Sequence, residues 1–303
     1  MKLNSMQKVQ AAFSAVKHRK ELKRLLIRRF WQNQKKLEIE VAGVTALFDT
    51  SDFLSNIFFW QGEYQEGYEP AVCEILARLI KKSKVYADVG GNVGVFSILP
   101  AILNPGCKIF YFEMDRSIKP LLIRNLKLNR LDESRITIVN AAVGDHVGEI
   151  EYQPHPYSFL ARQANENIDA YDLKDRAPII RLDDYFLHQG SDPDLLKIDI
   201  DGAETSALRG MHRMLKESRP DLLLEVHPVF LPSLGSSAAE VCDLLREFDY
   251  LFFSIPDFRR TKSLRLTQIS NFDGLTSRNG DMIFVTAGKK HNIVSGTLDM
   301  SSQ

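Results

Sequence analysis

The chain has 303 residues, 44% of them hydrophobic and 26% charged, with 39 basic side chains balanced by 39 acidic ones; that is enough to bury one sizeable α/β core with additions. Three scattered cysteines, Cys73, Cys107 and Cys242, lack metal-ligand spacing, exclude a disulfide framework and suggest a reducing, cytoplasmic compartment. No basic-then-apolar leader opens the sequence, and the longest uncharged run, Val89 to Cys107, holds four glycines and two prolines, which excludes a membrane span.

The balance hides an asymmetry. Residues 1–36 hold eleven Lys/Arg against Glu21 alone, a net +10, which leaves −10 for the remainder. Val9, Phe13, Val16, Leu22, Leu25, Leu26, Phe30 and Trp31 recur at spacings of three and four, so amphipathic helices are predicted over 1–33. Their basic face has two destinations, the acidic body of the same chain or an anionic membrane surface in peripheral contact; packing on the body is the expectation. Leu37 to Asp49 alternates loosely and predicts a hairpin, and Ala71–Ile80 predicts a helix, so residues 37–80 form a unit ahead of the main domain, 81–287. Residues 288–303 read as a tail.

Lys84 to Ser97 organises the rest. Val85, Tyr86, Ala87 and Val89 form a buried strand carrying Asp88 near its end. Gly90-Gly91-Asn92-Val93-Gly94 is a tight turn, and Val95–Leu103 a helix that Pro100 is expected to kink or to end early in its first part. The glycines let the backbone approach a ligand, and the helix start offers unpaired N–H groups. Lys108 to Glu113 is a second buried strand ending in an acid, 25 residues after Asp88, placed to accept both hydroxyls of a ribose.

Ser117–Leu128 is an amphipathic helix and Arg135–Asn140 a third strand, which Ala141-Ala142-Val143 continues to the Gly144-Asp145 turn. Glu149–Tyr152 reads as a hairpin strand. Residues 153–180 lose all periodicity and are expected to form a lid over the acceptor site. Asp194–Ile200 and Asp221–Val226 are the fourth and fifth strands, with a helix over Thr205–Leu215 between them. A helix at Ala238–Phe248 and strands at Tyr250–Ser254 and Met282–Val285 follow. Strand–helix alternation of these lengths predicts a doubly wound, Rossmann-like α/β fold with a mostly parallel sheet and an antiparallel edge strand. Ligands of such sheets bind beyond the strand C-termini, so Asp88–Gly94, Glu113, Asn140–Ala142, Ile198–Glu204 and Glu225–His227 share one rim.

Five ordered blocks resemble the FkbM-type S-adenosylmethionine-dependent methyltransferases. They are Asp88–Ser97, Phe112-Glu113, Asn125-Leu-Lys-Leu-Asn129, Ala142-Val-Gly-Asp145 and Leu196–Glu204. The family usually has Ala where Gly91 stands and commonly Pro where Met114 follows the acid. The resemblance implies an O-methyltransferase acting on a hydroxyl of a sugar, glycan or related metabolite, with S-adenosylmethionine as cofactor. It puts Asp88, Gly90, Gly91, Asn92, Gly94 and Glu113 around that cofactor, and the doubly wound plan lays the backbone of Asn140, Ala141 and Ala142 on the adenine. Glu69, in Gly67-Tyr68-Glu69, falls near the cofactor's amino group or is a solvated first-turn acid of the next helix.

The acceptor side draws on Asp199, Glu204 and His227. Three carboxylates within six residues, Asp199, Asp201 and Glu204, raise at least one pKa unless a cation is near, and Lys197 reads as too deep in its strand to be that cation. Asp201 is expected to cap the following helix; Asp199 and Glu204 are expected to be the essential pair, with His227 in support. Asp199, Glu225 and His227 also have the chemistry of a small Mg²⁺ or Mn²⁺ site, without dedicated spacing. No base-methylation motif appears and the body is acidic, which argues against nucleic acid. The competing readings are a non-catalytic cofactor-binding scaffold recruited by the basic segment and a nicotinamide-dependent dehydrogenase; the turn lacks Gly-x-Gly-x-x-Gly, as Asn92 and Ser97 show.

Overall fold

The computed structural model describes residues 36–49, 68–154, 174–262, 264–276, 280–287, 292–294 and 297–299. The predicted helices of 1–33, Gly67 of the Gly67-Tyr68-Glu69 block, and 155–173 of the expected lid lie outside the described residues.

Eight short runs form the strands of the main sheet. Strand β3 (Val85–Val89) pairs parallel with β4 (Lys108–Phe112), and β4 with β5 (Ile136–Val139). On its other side β3 pairs parallel with β9 (Leu195–Ile198), and β9 with β10 (Asp221–Val226). Next to β10 comes β13 (Asp281–Ala287), antiparallel, and then β11 (Tyr250–Ser254) and a short antiparallel edge strand, β12 (Thr267–Ile269). The sheet therefore has the order β12-β11-β13-β10-β9-β3-β4-β5. Besides its antiparallel edge it holds an antiparallel strand inside, because the last long apolar run slots between β10 and β11.

Strand alternation sends side chains to two cores. Leu196, Ile198, Leu222, Leu224 and Val226 face one, which is covered by helices α4 (Leu182–Gln189), α5 (Glu204–Arg209), α6 (His212–Lys216) and α7 (Ala238–Arg246). Tyr86, Leu195, Leu223 and Phe284 face the other, covered by α1 (Pro70–Leu79) and α2 (Val95–Leu103). The predicted helix over 205–215 is two helices, because Gly210 breaks it where its Cα abuts the Gly144 carbonyl. Pro100 does not end α2, which runs three residues beyond it to Leu103.

The hairpin β1 (Lys36–Val41) and β2 (Val44–Asp49) is docked by two asparagines of α3 (Lys119–Leu128 with its C-cap Asn129). Asn125 Oδ1 accepts from the Asp49 amide at 2.8 Å while its Nδ2 donates to the Val93 carbonyl of the glycine turn. Asn129 exchanges hydrogen bonds in both directions with the Leu47 backbone. The Asn-x-x-x-Asn block is thus a clamp that braces the turn.

Two expectations need correction. The third strand does not continue through Ala142: the chain leaves the main sheet at Asn140, and β6 (Ala142–Val143) pairs with β8 (Asp175–Ile180) in a separate three-stranded sheet with β7 (Gly148–Tyr152). Residues 174–180 of the expected lid are mostly that strand β8, whose alternation is masked in sequence by Pro178 and flanking charges. In the expected tail, β14 (Asn292–Val294) and β15 (Thr297–Asp299) pair antiparallel. No described helix is long and apolar enough to cross a membrane.

Candidate active site

The turn after β3 is stitched to the end of β4. The amides of Gly90 and Gly91 both donate to the Phe112 carbonyl, at 2.9 and 3.1 Å. Gly90 has φ +83°, and a Cβ there would fall 1.9 Å from the Asp199 carbonyl oxygen, so no other residue fits. A Cβ on Gly91 would fall 2.3 Å from the Tyr111 ring. Tyr111 thus occupies the space that the family's usual alanine needs. Asp88, wholly buried, accepts a 2.7 Å hydrogen bond from the Ser97 hydroxyl in the first turn of α2, tying strand to helix beneath the turn. Burial pushes its carboxyl up to about 6. Gly94 is the N-cap of α2, and neither it nor Asp88 lines the cavity above.

That cavity, about 900 Å³, lies along the predicted rim. On one side Glu113 stands just beyond β4. Its Oε2 accepts from the Asn92 amide at 3.1 Å and its Oε1 from the Asp115 amide at 2.9 Å, which leaves lone pairs on both oxygens for a ligand. Burial outweighs these two bonds and lifts its pKa to about 7. Gly90, Gly91, Asn92, Ala141 and Ala142 continue this wall. Asn140 is not part of it: its Nδ2 donates to the carbonyls of Glu113 and Met114, at 2.7 and 3.0 Å, so it holds the acid's loop in place.

The other side is a row of charges on an otherwise apolar sheet face. Asp88 is opposite Lys197 across β3–β9, and Lys197 is opposite Leu223 on β10, so Asp199 and Glu225 fall together one step further along. Lys197 was expected to be too deep to matter, yet its long side chain brings Nζ to 2.8 Å from Asp199 Oδ2, with the Phe96 ring beneath at 4.5 Å. Burial opposes its charge, but Asp199, Glu69, Asp88 and Glu225 raise its pKa and keep it an ammonium. Burial likewise works to raise Asp199, but Lys197, then His227 and Arg259, hold it below the usual carboxylate range. The crowding of acids is therefore relieved at Asp199 and shows elsewhere: burial raises Glu225 well above its ordinary value, and also Glu69.

Glu69 is only 3% exposed and makes no cap bond to α1, which rules out the solvated first-turn acid. It lines the cavity beside Arg259, whose Nε lies 3.8 Å from Glu69 Oε1 and whose Nη2 donates to Glu225 Oε1. The Arg259 guanidinium also lies over Phe258, 4.1 Å from the ring centre. Nothing in the polar stretch around Arg259 marked it in sequence. Lys197, a cation between Leu196 and Ile198 in a buried strand, was the signal that could have been found.

Glu204 and His227 form a buried pair. Glu204, 0% exposed, accepts from His227 Nδ1 at 2.7 Å and from the Gly202 amide at 3.1 Å. It does not line the cavity, whereas Asp199 and His227 do. Burial alone would lower the His227 pKa, but the Glu204 hydrogen bond and the charges of Asp199, Glu204 and Asp201 outweigh it and raise it. Asp201 is not a helix cap, since Ala203 holds that position; it stands on the rim with its Oδ1 3.5 Å from His227 Nε2. Phe230 stacks on the His227 imidazole with rings inclined by 26°, and both it and Leu234 are exposed at the cavity wall.

No curated protein matches the chain. Among solved structures it is similar to the methyltransferase FkbM from Methylobacillus flagellatus KT, at 19% identity over 67% of this chain and 43% of that one, TM-score 0.42. It is also similar to a SAM-dependent methyltransferase from Agrobacterium tumefaciens, at 12% identity over 84% of this chain and 70% of that one, TM-score 0.43. A SAM-dependent O-methyltransferase from Thermotoga maritima matches at 15% identity over 86% of this chain and 81% of that one, TM-score 0.39. The chain spans less than half the length of the Methylobacillus protein. The family model of the methyltransferase FkbM domain matches residues 88–252, just over half the chain, from the buried acid of β3 into β11. That match sets aside the nicotinamide-dependent dehydrogenase. The chain belongs to the FkbM family of S-adenosylmethionine-dependent methyltransferases.

Proposed function

We propose that this methyltransferase methylates a hydroxyl of a sugar, glycan or related small molecule. The observation that carries the proposal is one cavity with two chemically distinct sides, a ribose-type acid at the end of β4 and a row of charges at the ends of β9 and β10.

S-adenosylmethionine, when bound, supplies an electrophilic methyl on a sulfonium. The residues present fit it: Glu113 has free lone pairs on both oxygens for the ribose hydroxyls, and Gly90 and Gly91 carry no side chain to block approach. Ala141 and Ala142, whose backbone would meet the adenine, and Glu69, which would meet the amino group, all line the same cavity. Phe230 and Leu234 give the acceptor an apolar seat, which suits the C–H face of a sugar ring.

A sugar hydroxyl does not ionise at neutral pH, so its proton must leave as the methyl arrives. Asp199 and His227 are the polar groups of the acceptor wall that take part, Asp199 kept anionic by Lys197 and His227 oriented by Glu204. Glu204 therefore acts through His227 and does not meet the acceptor.

The test is incubation of the full chain with methyl-labelled S-adenosylmethionine and a cell extract, with mass spectrometry for products heavier by one methylene. Asp199→Asn and His227→Ala should keep cofactor affinity within about tenfold while turnover falls by about 10²–10⁴. Glu204→Gln should lower kcat more than it raises KM. Near-normal turnover in all three variants would show that the wall takes no part.

A further inference from the structure

His227 Nε2 makes no hydrogen bond among the described residues, yet three carboxylate oxygens surround it. Asp201 Oδ1 is at 3.5 Å, Glu225 Oε1 at 3.6 Å and Asp199 Oδ1 at 3.8 Å. The imidazole is 4% exposed, so bulk water does not solvate it from all sides. Such separations are too long for good hydrogen bonds. They are close to the donor–donor distances around an ion bound at about 2.1–2.4 Å.

The remaining atoms of these groups are already engaged in ways that aim the free ones inward. Asp199 gives Oδ2 to Lys197, leaving Oδ1. His227 gives Nδ1 to Glu204, which fixes the ring and directs Nε2 at the cluster. Asp201 makes no side-chain hydrogen bond among the described residues, and its carboxylate stands at the open rim, 84% exposed, where an ion enters from solvent. Glu225 Oε2 is a second orphan, buried at 2% exposure without a hydrogen-bond partner. The ligand atoms of Asp199, Asp201 and His227 all lie within 4.8 Å of one another.

We propose that Asp199 Oδ1, Asp201 Oδ1 and His227 Nε2 are three ligands of a divalent cation, with Glu204 as the carboxylate behind the histidine. Two carboxylates and one imidazole suit Mn²⁺ or Mg²⁺, and a buried carboxylate on the far nitrogen is the usual support of a ligating histidine. Glu225, whose Oε1 is taken by Arg259, lies behind the site without entering it. The ion's position gives the acceptor's oxygen a place as a further ligand; this part rests on reading the wall as the acceptor side.

The full chain, stripped with EDTA and freed of chelator, is titrated with Mn²⁺ alone and followed by electron paramagnetic resonance. One saturable Mn²⁺ per chain is expected. Asp201→Asn, a substitution at an exposed position, and Asp199→Asn should each weaken it at least tenfold, Glu204→Gln by about 10–100-fold, and Glu113→Gln not at all. No saturable uptake, or equal uptake by Asp201→Asn and Asp199→Asn, overturns the cation site. Methyl transfer that survives chelation without Mn²⁺ uptake overturns the site and leaves the transferase reading standing. Uptake that follows the variants in a protein transferring methyl to no hydroxyl does the reverse.

Discussion

If Glu113 accepts the ribose hydroxyls as proposed, pH enters cofactor binding through it. Its pKa, lifted to about 7 by burial, lies in the range where binding is measured. Only the ionised carboxylate accepts from both ribose hydroxyls, so at lower pH a proton must leave before binding. Affinity for S-adenosylmethionine should therefore fall by about tenfold per pH unit below that pKa. Calorimetry across this range should show the slope in the wild type, and in Glu113→Gln a pH-independent affinity weaker by about 1.5–3 kcal/mol. The same shift has a second sign: Glu113 and Asp88, at about 7 and about 6, are raised above their ordinary values, so folding takes up protons there. Their contribution favours the ligand-free fold at low pH and is lost as pH rises through those values. At this scale the position of Gly90, Gly91, Asn92 and Glu113 on one cavity wall was legible, because a glycine turn and an acid at fixed strand ends leave little freedom. The acceptor side was less so. Whether Glu204 or His227 meets the ligand depends on depth below the rim, which spacing does not encode, and the reach of Lys197 to Asp199 depends on side-chain length as much as on strand alternation.

Among the elements, the glycine turn and the strand beside it are matched to each other. Tyr111 of β4 packs its ring where a side chain on residue 91 would go, and its hydroxyl donates to the Asn92 carbonyl. Gly91→Ala should accordingly lower stability by about 1–3 kcal/mol through overpacking. In a Tyr111→Val background the same change should cost less, because the obstructing ring is gone. Thermal unfolding of the four proteins in a double-mutant cycle measures the coupling; additive effects would mean that the ring is not what excludes alanine. Strands β3, β4, β9 and β10 could be read because all are continuous apolar runs bounded by turns. Strand β8 could not, since Pro178 and alternating charges give it the look of a loop, and the departure of β6 from the main sheet is decided by its pairing with β8, not by its own residues.

For the whole molecule the charge asymmetry makes a prediction that composition alone supports. Removing residues 1–33 takes away most of the +10 segment and leaves the remainder at −10 with little to balance it. If that segment packs on the body, the truncated chain should melt at a lower temperature, by a margin that shrinks as salt rises, with cofactor affinity unchanged. Thermal unfolding at low and high salt reads this, and co-sedimentation of the full chain but not the truncated one with anionic vesicles would assign the segment to lipid instead. The sheet order was the other property hidden at this scale, because an apolar run does not announce which strands it will lie between. Its consequence is felt during synthesis. On a ribosome, β10 emerges with one edge paired to β9 and the other bare, and β11 follows without the neighbour that will join it to the sheet. Both wait for residues 281–287, so the half of the domain leading to Glu225 and His227 stays open until that strand has been translated. Such late, distant pairing is slow and leaves a bare edge open to wrong partners, which makes the yield of active protein depend on the pace of translation and on chaperones more than its final stability would suggest.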